Sequence, residues 1–493
     1  MLNLLKSRKA RIILVSIALL VGFAIIFTSI GINRYVKEGA YVKVGNHNVS
    51  KIEYNFYKNL YIDTFEAQYA EYLEALGIDG EQDYSNQPCL MYEDITWGEY
   101  FEGRALQLIQ EIYILYDDCI ENDYKVDTDS LYDDFIDKTA KNAVENQVSL
   151  DEYLSQRYAE GANKRNFKDI YCKYMLTGKY RDEKKKTFSP SNSDIDAYYE
   201  KNRNDLDLVT YRDFIFAPDY GDSKGGNQQI TEEEAMKAAK EQAEKMFSNI
   251  HNQETFLEQC VKFGGKTKEE YESSTLYKDK ALSSVHPAIS EWVFDVKREN
   301  NSVAVIEDNT NKQYHVVFFI NREKNTSPTV NFRNILIKNS IAGATSDEAI
   351  KSAKDKADDV VAEYEKTEKT EADFIELVRK YSEDNDSLGN DGLYSEVLSE
   401  KLSEKASDWL FDSIRTAGDY TTIYSEKSGY YILYYISPGD PSWRVSAKNS
   451  LVEERYKKFI DDNRKDYEIS DVRGEVEYLR LATQDQAEIF END

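Results

Sequence analysis

The apolar and polar positions of the second half of the chain fall into two passages that repeat each other. From Val209 the run VTYRDFIFAP alternates apolar and polar residues as far as Pro218, and from Val330 the run VNFRNILIKN does the same as far as Asn339. A period of two predicts a half-buried strand in each. Helical spacing follows both. Thr231 and Glu234 form a capping-box pattern ahead of Ala235, Ala239, Ala243 and Phe247, and Thr345 and Glu348 stand in the same way ahead of Ala349, Ala353, Ala357 and Val361. FLEQCVKF (256–263) then corresponds to FIELVRKY (374–381), EWVFD (291–295) to DWLFD (408–412), and QYHVVFFI (313–320) to GYYILYYI (429–436). The offset between copies runs from 121 through 114 to 116–118 residues, a drift that insertions in the linking segments explain. Five ordered matches predict a duplicated domain of about 110 residues, in the order strand, helix, helix, loop, helix, strand.

The N-terminal pattern is different. Ile12 to Ile32 carries no charged residue, and about twenty residues at 1.5 Å each span the roughly 30 Å hydrocarbon layer of a bilayer. Lys6, Arg8, Lys9 and Arg11 precede it, which predicts a cytoplasmic N-terminus, a single span and an extracytoplasmic remainder. A cleaved signal peptide is the rival reading, with Ser29 and Gly31 as small residues for a cleavage site. Downstream, WGEYFEGRALQLIQEIYILY reads as a long amphipathic helix and SLDEYLSQRYAEG as a shorter capped one.

Composition narrows the chemistry. A chain of 493 residues exceeds one core and predicts about three domains. The formal net charge of −29 repels phosphate backbones and removes nucleic acid from the expected partners. Cys89, Cys119, Cys172 and Cys260 show no CxxC spacing, so they read as buried thiols or as one or two disulfides, with no metal site. No GxSxG, GxxxxGK[ST], HExxH or GxGxxG occurs, and no cofactor is expected. The 38 tyrosines read either as an adaptable binding surface or as substitutes for phenylalanine in an acidic protein.

The repeat resembles the parvulin family of peptidyl-prolyl isomerases. In the second copy FRNILI stands at the first strand, followed by ADFIELVRKYSED (372–384), the turn GNDGLYS (389–395), SDWLFDSI and the closing strand GYYILYYI. The upstream runs YVKVGNHNVSKIEYNFYKNLY, from Tyr41, and SPSNSDIDAYYEKNRNDL (189–206) are similar to the SurA and PrsA extracytoplasmic chaperone-isomerases. The fold class this implies is α+β multidomain, with a cytoplasmic tail (1–11), a transmembrane helix (12–32), a helical chaperone module (37–205), parvulin-like domains at 206–325 and 327–438, and a C-terminal helical segment (439–493) that returns to the module. The implied partners are unfolded or exported polypeptides and proline-containing peptides, the membrane through the N-terminal helix, and a homodimer.

Rotating an X–Pro bond crosses a barrier of about 18–20 kcal/mol set by amide resonance. Parvulins place two histidines on central strands, an acid or cysteine beside them, and an apolar pocket for the proline ring. Carried over by position, the second copy has Asn334 and Tyr431 at the histidine positions and Asp384 at the acid. Leu402, Ala406, Phe411 and Tyr394 are its expected substrate-binding residues. The first copy has Asp213 and His315 at the histidine positions, Lys266 at the acid, and Val285 and Ile289 in the pocket. Neither copy keeps the histidine pair, and Asn334, Tyr431 and Asp384 read either as a hydrogen-bonding site for a peptide or as a structural network in a catalytically silent domain.

Overall fold

The computed structural model describes residues 39–220, 231–339, 346–384 and 387–476. The apolar run Ile12–Ile32 and the capping residue Thr345 lie outside these residues. Among the described residues no helix is long and apolar enough to cross a membrane. The chain divides into two units, one formed by 1–189 with 452–493 and the other by 190–451. These divisions fall inside the segments 37–205 and 439–493 of the sequence reading.

The first unit is helical with one small sheet. Strands β1 (Val42–Val44) and β2 (His47–Val49) form a hairpin, and the late strand β11 (Ile469–Asp471) pairs with β1 on its other side. Val42, Val44 and Val49 are fully buried, which anchors the sheet on the helices. Those helices are α1 (Lys51–Gln68), α2 (Trp97–Glu121), α3 (Thr128–Glu145), α4 (Leu150–Arg157) and α5 (Lys164–Thr187). Thr96 and Glu99 close a capping box at the start of α2, and Ser149 caps α4. The core is aromatic: Phe65 packs against Trp97 and Phe101, and Phe56 against Phe167.

Many tyrosines are buried in this unit, and several of them pair their hydroxyls, although those of Tyr54 and Tyr57 have no partner among the described residues. Tyr113 donates to Glu53 at 2.9 Å, Tyr180 to Asp118 at 2.7 Å, and Tyr456, from the C-terminal segment, to Glu111 at 2.6 Å. For these residues the phenylalanine-substitute reading holds, since a buried ring keeps its apolar area while the hydroxyl finds a partner. Cys89, Cys119, Cys172 and Cys260 are free thiols, so the disulfide alternative does not hold.

The second unit opens with α6 (Asn192–Lys201) and α7 (Arg203–Leu206) and contains two four-stranded antiparallel sheets. The first runs β4 (Leu276–Lys280), β3 (Asp207–Phe216), β6 (Gln313–Lys324), β5 (Val303–Asp308), with α8 (Glu232–Phe247), α9 (Gln253–Gly264), α10 (Lys268–Ser274) and α11 (Pro287–Val293) between the strands. The second runs β8 (Leu393–Leu398), β7 (Thr329–Lys338), β10 (Gly429–Pro438), β9 (Tyr420–Ser425), with α12 (Ser346–Tyr364), α13 (Glu371–Tyr381) and α14 (Glu404–Leu410). Helix α15 (Ser442–Arg464) follows.

Strand order and register coincide in the two sheets. Asp213 faces Val317 and His315 faces Ile215 in the first, as Asn334 faces Leu433 and Tyr431 faces Leu336 in the second. Tyr211 stacks on Tyr277, centroids 4.9 Å apart, where Phe332 stacks on Tyr394 at 5.1 Å. The short edge strands β4 and β8 lie in the stretch that the sequence pattern reads as loop, and β5 and β9 lie between the last helix and the closing strand, where it assigns no element.

The period of two sorts each central strand between two layers. On β7 and β10, Ile335, Ile337, Ile432 and Tyr434 pack on α12 and α13, while Phe332, Leu433 and Tyr435 face the other way with Leu410 and Ile423. Burying an Ile such as Ile335 contributes roughly 1.5–3 kcal/mol, so a one-residue slip that reversed the faces is strongly disfavoured.

Candidate active site

The outward layer of the second sheet forms a cleft of about 380 Å³ between β7, β8, β9, β10 and the start of α14. Phe332, Tyr394, Val397, Leu402, Ala406, Ile423 and Leu433 supply apolar walls, and Asn334, Ser403, Ser425, Tyr431 and Lys401 supply polar groups. Ser403 caps α14, accepting from the Ala406 N–H, and so fixes where Leu402 and Ala406 meet the sheet.

Behind this wall sits Asp384, just past the end of α13 and 7% exposed. Its Oδ2 accepts from the Asn334 amide at 2.9 Å, the Ser387 hydroxyl at 2.7 Å and the Tyr394 hydroxyl at 2.8 Å. Asn334 and Tyr394 line the cleft; Asp384 does not. The carboxylate therefore holds the two side chains that a ligand would meet. Asn334 is itself buried, and its Oδ1 has no hydrogen-bond partner among the described residues. A buried acceptor left open in this way favours a ligand that brings a donor.

The backbone fixes Asn334 as firmly. Its N–H donates to the Gly392 carbonyl at 2.8 Å, and Gly392 has φ +73°. A Cβ at Gly392 would lie 2.6 Å from the Asn334 carbonyl oxygen, so close approach and a left-handed turn both require glycine there.

Of the residues expected from sequence, Asn334, Tyr394, Tyr431, Leu402 and Ala406 line one cleft, and Asp384 supports it from behind. Tyr431 makes no hydrogen bond to Asn334 or Asp384 among those described; Tyr394 takes that place. Phe411 belongs to the same apolar cluster without lining the cleft. Ser387, Lys401 and Val397 were not foreseen. Alternation along β10 points to Leu433 as the same-face neighbour of Tyr431, but no local pattern marks Ser387.

The first sheet differs. His315 Nδ1 lies 2.7 Å from Asp213 Oδ2, and both residues are buried. Lys266 is exposed beyond α9 and does not join them, whereas Asp308 and His286, unmarked in the sequence, do. Burial opposes charge on His315, but the Asp213 and Asp308 carboxylates outweigh it and raise its pKa. Burial likewise opposes ionisation of Asp308. The Asn311 amide and backbone N–H, with Gln313 and His315, override it and hold the carboxyl well below its usual range. Val285 and Ile289 are buried in an apolar cluster with Val317 and Phe319.

Residues 335–437 match the rotamase family, described as the PPIC-type PPIASE domain. The chain thus carries a parvulin-type domain, and all the cleft-lining residues except Phe332 and Asn334 lie in the matched stretch. The matched stretch begins one residue after Asn334 and includes Asp384, Tyr394, Leu402, Ala406, Phe411 and Tyr431. Comparison of the chain with curated proteins finds no match.

Chemically, the parvulin-type cleft offers what amide rotation needs. A planar amide is more polar than a twisted one, so apolar, water-poor walls favour the twisted form relative to bulk water. No nucleophile is required, and the polar side chains lining the cleft can orient the flanking backbone.

Proposed function

We propose that the chain is a membrane-anchored, extracytoplasmic folding factor that binds exported, unfolded polypeptides and isomerises X–Pro bonds in the 327–438 domain. The observation that carries this reading is the apolar cleft in which Asn334 and Tyr394 are tied to Asp384, with most of its lining in the stretch 335–437 that is similar to PPIC-type isomerases. The shared strand order and register support reading 206–325 as a second, degenerate parvulin-like copy. The helical unit built from both ends of the chain supports a SurA- or PrsA-like chaperone module. Exposed Tyr72, Leu90 and Met91 give that unit apolar surface for client chains. The charge-free run 12–32 behind Lys6, Arg8, Lys9 and Arg11 supports the anchor.

A second reading is a catalytically silent pseudo-isomerase, acting as a surface scaffold for a dedicated partner. Asn334 and Tyr431 at the two histidine positions favour it. Cis–trans exchange of proline peptides, followed by NMR with the purified chain, separates the two. Exchange well above background that falls in Tyr394→Phe and Asp384→Ala supports the enzyme. No acceleration over several residues preceding proline leaves the scaffold.

A further inference from the structure

His286, Asp308 and His315 reach one point from three elements of the first sheet domain: the N-cap of α11, the end of β5 and the start of β6. Asp308 Oδ2 lies 3.6 Å from Nε2 of each histidine, and the three ligand atoms all lie within 4.8 Å of one another. A tetrahedral metal with bonds of about 2.1 Å sets its ligand atoms about 3.4 Å apart. Two edges of the triangle are already near that length, and closing the third from at most 4.8 Å takes no more than about 1.4 Å of movement.

Two further observations point to a cation. Asp213 Oδ2, 2.7 Å from Nδ1 of His315, accepts a hydrogen bond from the N–H at that nitrogen and leaves the Nε2 lone pair facing Asp308. This is how a carboxylate orients a metal-bound imidazole. The charge balance is also incomplete. Asp308 is 2% and Asp213 7% exposed, and among the described residues their ion-pair partners are only these histidines. Asp213 Oδ1 is buried without a hydrogen-bond partner among the described residues. With neutral imidazoles the cluster carries two buried negative charges, which a divalent cation would match.

The amide nitrogens of Asn311 and Gln313 stand in for that cation. Asn311 Nδ2 lies 2.7 Å from Asp308 Oδ2 and 3.3 Å from His286 Nε2, and Gln313 Nε2 lies 3.1 Å from Asp308 Oδ2 and 3.4 Å from His315 Nε2. Turned over, either amide presents an oxygen as a further ligand. The side chain of His286 is 38% exposed and opens the cluster to solvent. Ligation through its Nε2 leaves the proton on Nδ1, so the 3.3 Å cap from the Ala288 N–H is released on binding.

We propose that His286, Asp308 and His315 bind a divalent first-row transition metal, with Asp213 as the positioning residue for His315. Two imidazoles and one carboxylate suit zinc and its neighbours better than magnesium or calcium, which require oxygen ligands.

The test is equilibrium dialysis of the chelator-stripped, full-length chain against zinc chloride, with magnesium chloride in parallel. The expected result is one zinc per chain at micromolar concentration and no magnesium. His286→Ala, at a half-exposed position, weakens binding at least tenfold, and His251→Ala, at an exposed position away from the cluster, leaves it unchanged. Asp213→Asn, with its fold checked by circular dichroism, weakens zinc about 10- to 100-fold. No zinc bound at about 100-fold higher concentration overturns the proposal. Zinc binding that persists unchanged in His286→Ala overturns it too and assigns the metal to another site, the thiols included. Prolyl exchange by the 327–438 domain is independent of either outcome.

Discussion

The Asp384 carboxylate meets the Asn334 amide at 2.9 Å behind the wall of the cleft, not within it. With Ser387 and Tyr394 also donating to the same oxygen, one buried carboxylate organises three side chains. Asp384→Ala leaves three donors without their acceptor and is expected to destabilise the parvulin-type domain by about 3 kcal/mol. Tyr394→Phe keeps the stack on Phe332 and removes one charge-assisted bond, for about 1.5–3 kcal/mol. Denaturant melts of both variants, beside their exchange rates, separate lost positioning from lost fold.

Gly392 permits the close crossing that fixes Asn334. Gly392→Ala combines a left-handed backbone with a Cβ 2.6 Å from the Asn334 carbonyl oxygen, and is expected to cost more than about 1–2 kcal/mol. Amide shifts of Asn334 and Leu393 should move most in the NMR spectrum. A variant as stable as the parent, with those shifts unchanged, would refute the assignment.

Much of this domain was legible because strands repeat every two residues. Once β7 and β10 are placed, alternation sets Asn334 and Tyr431 on the face that carries the cleft. The copy-to-copy matches extend the argument to Asp213 and His315. The edge strand Tyr420–Ser425 carries no such pattern, and the sequence reading assigns no helix to Thr128–Glu145, whose apolar positions are sparse among Asp and Lys. Ser387, His286 and Asp308 were illegible for another reason. Each sits in or beside a turn, where the partner is chosen by tertiary packing and leaves no local periodicity.

In the helical unit, Lys173 Nζ lies 2.8 Å from Glu53 Oε1 and 2.6 Å from the Tyr113 hydroxyl, with Glu53 buried. Burial first, and then the Glu53 charge, drive the Tyr113 pKa far upward, so that the tyrosine stays a donor. Lys173→Met strands the carboxylate and is expected to destabilise the unit by about 3–5 kcal/mol. Replacing Glu53 by Gln at the same time should restore part of that loss in a thermal melt.

Burial pushes the Cys260 thiol up to about 12, against the lowering effect of Arg212, and raises Cys89 and Cys119 as well. The native chain at pH 8 should therefore react slowly with a thiol reagent at these three positions. All four cysteines should react at once in guanidinium. Fewer than four thiols under denaturing, non-reducing conditions would contradict the free-thiol structure.

Helix α13 begins on a capping box in which the Thr370 backbone N–H, then its hydroxyl, bind Asp373 and lower its pKa. A depressed carboxyl contributes stability that is present above its unfolded pKa of about 3.9 and is lost as pH falls through the folded value. Acid titration of the helical signal should accordingly show a loss below about pH 4 that Asp373→Asn removes. Thr370→Ala should cost about 1 kcal/mol at neutral pH.

The pairing of β1 with β11 has a consequence for synthesis. Lys43 and Ser470 are neighbours in one small sheet, although on the order of 400 residues separate them in the chain. At about 5–20 residues per second, the ribosome delivers the closing strand roughly 20–80 s after the opening one. Throughout that interval β1 has only β2 beside it, and a nascent or prematurely terminated chain exposes its free edge. A product cut short anywhere before Ile469 thus leaves unpaired the edge of β1 that β11 covers in the full chain.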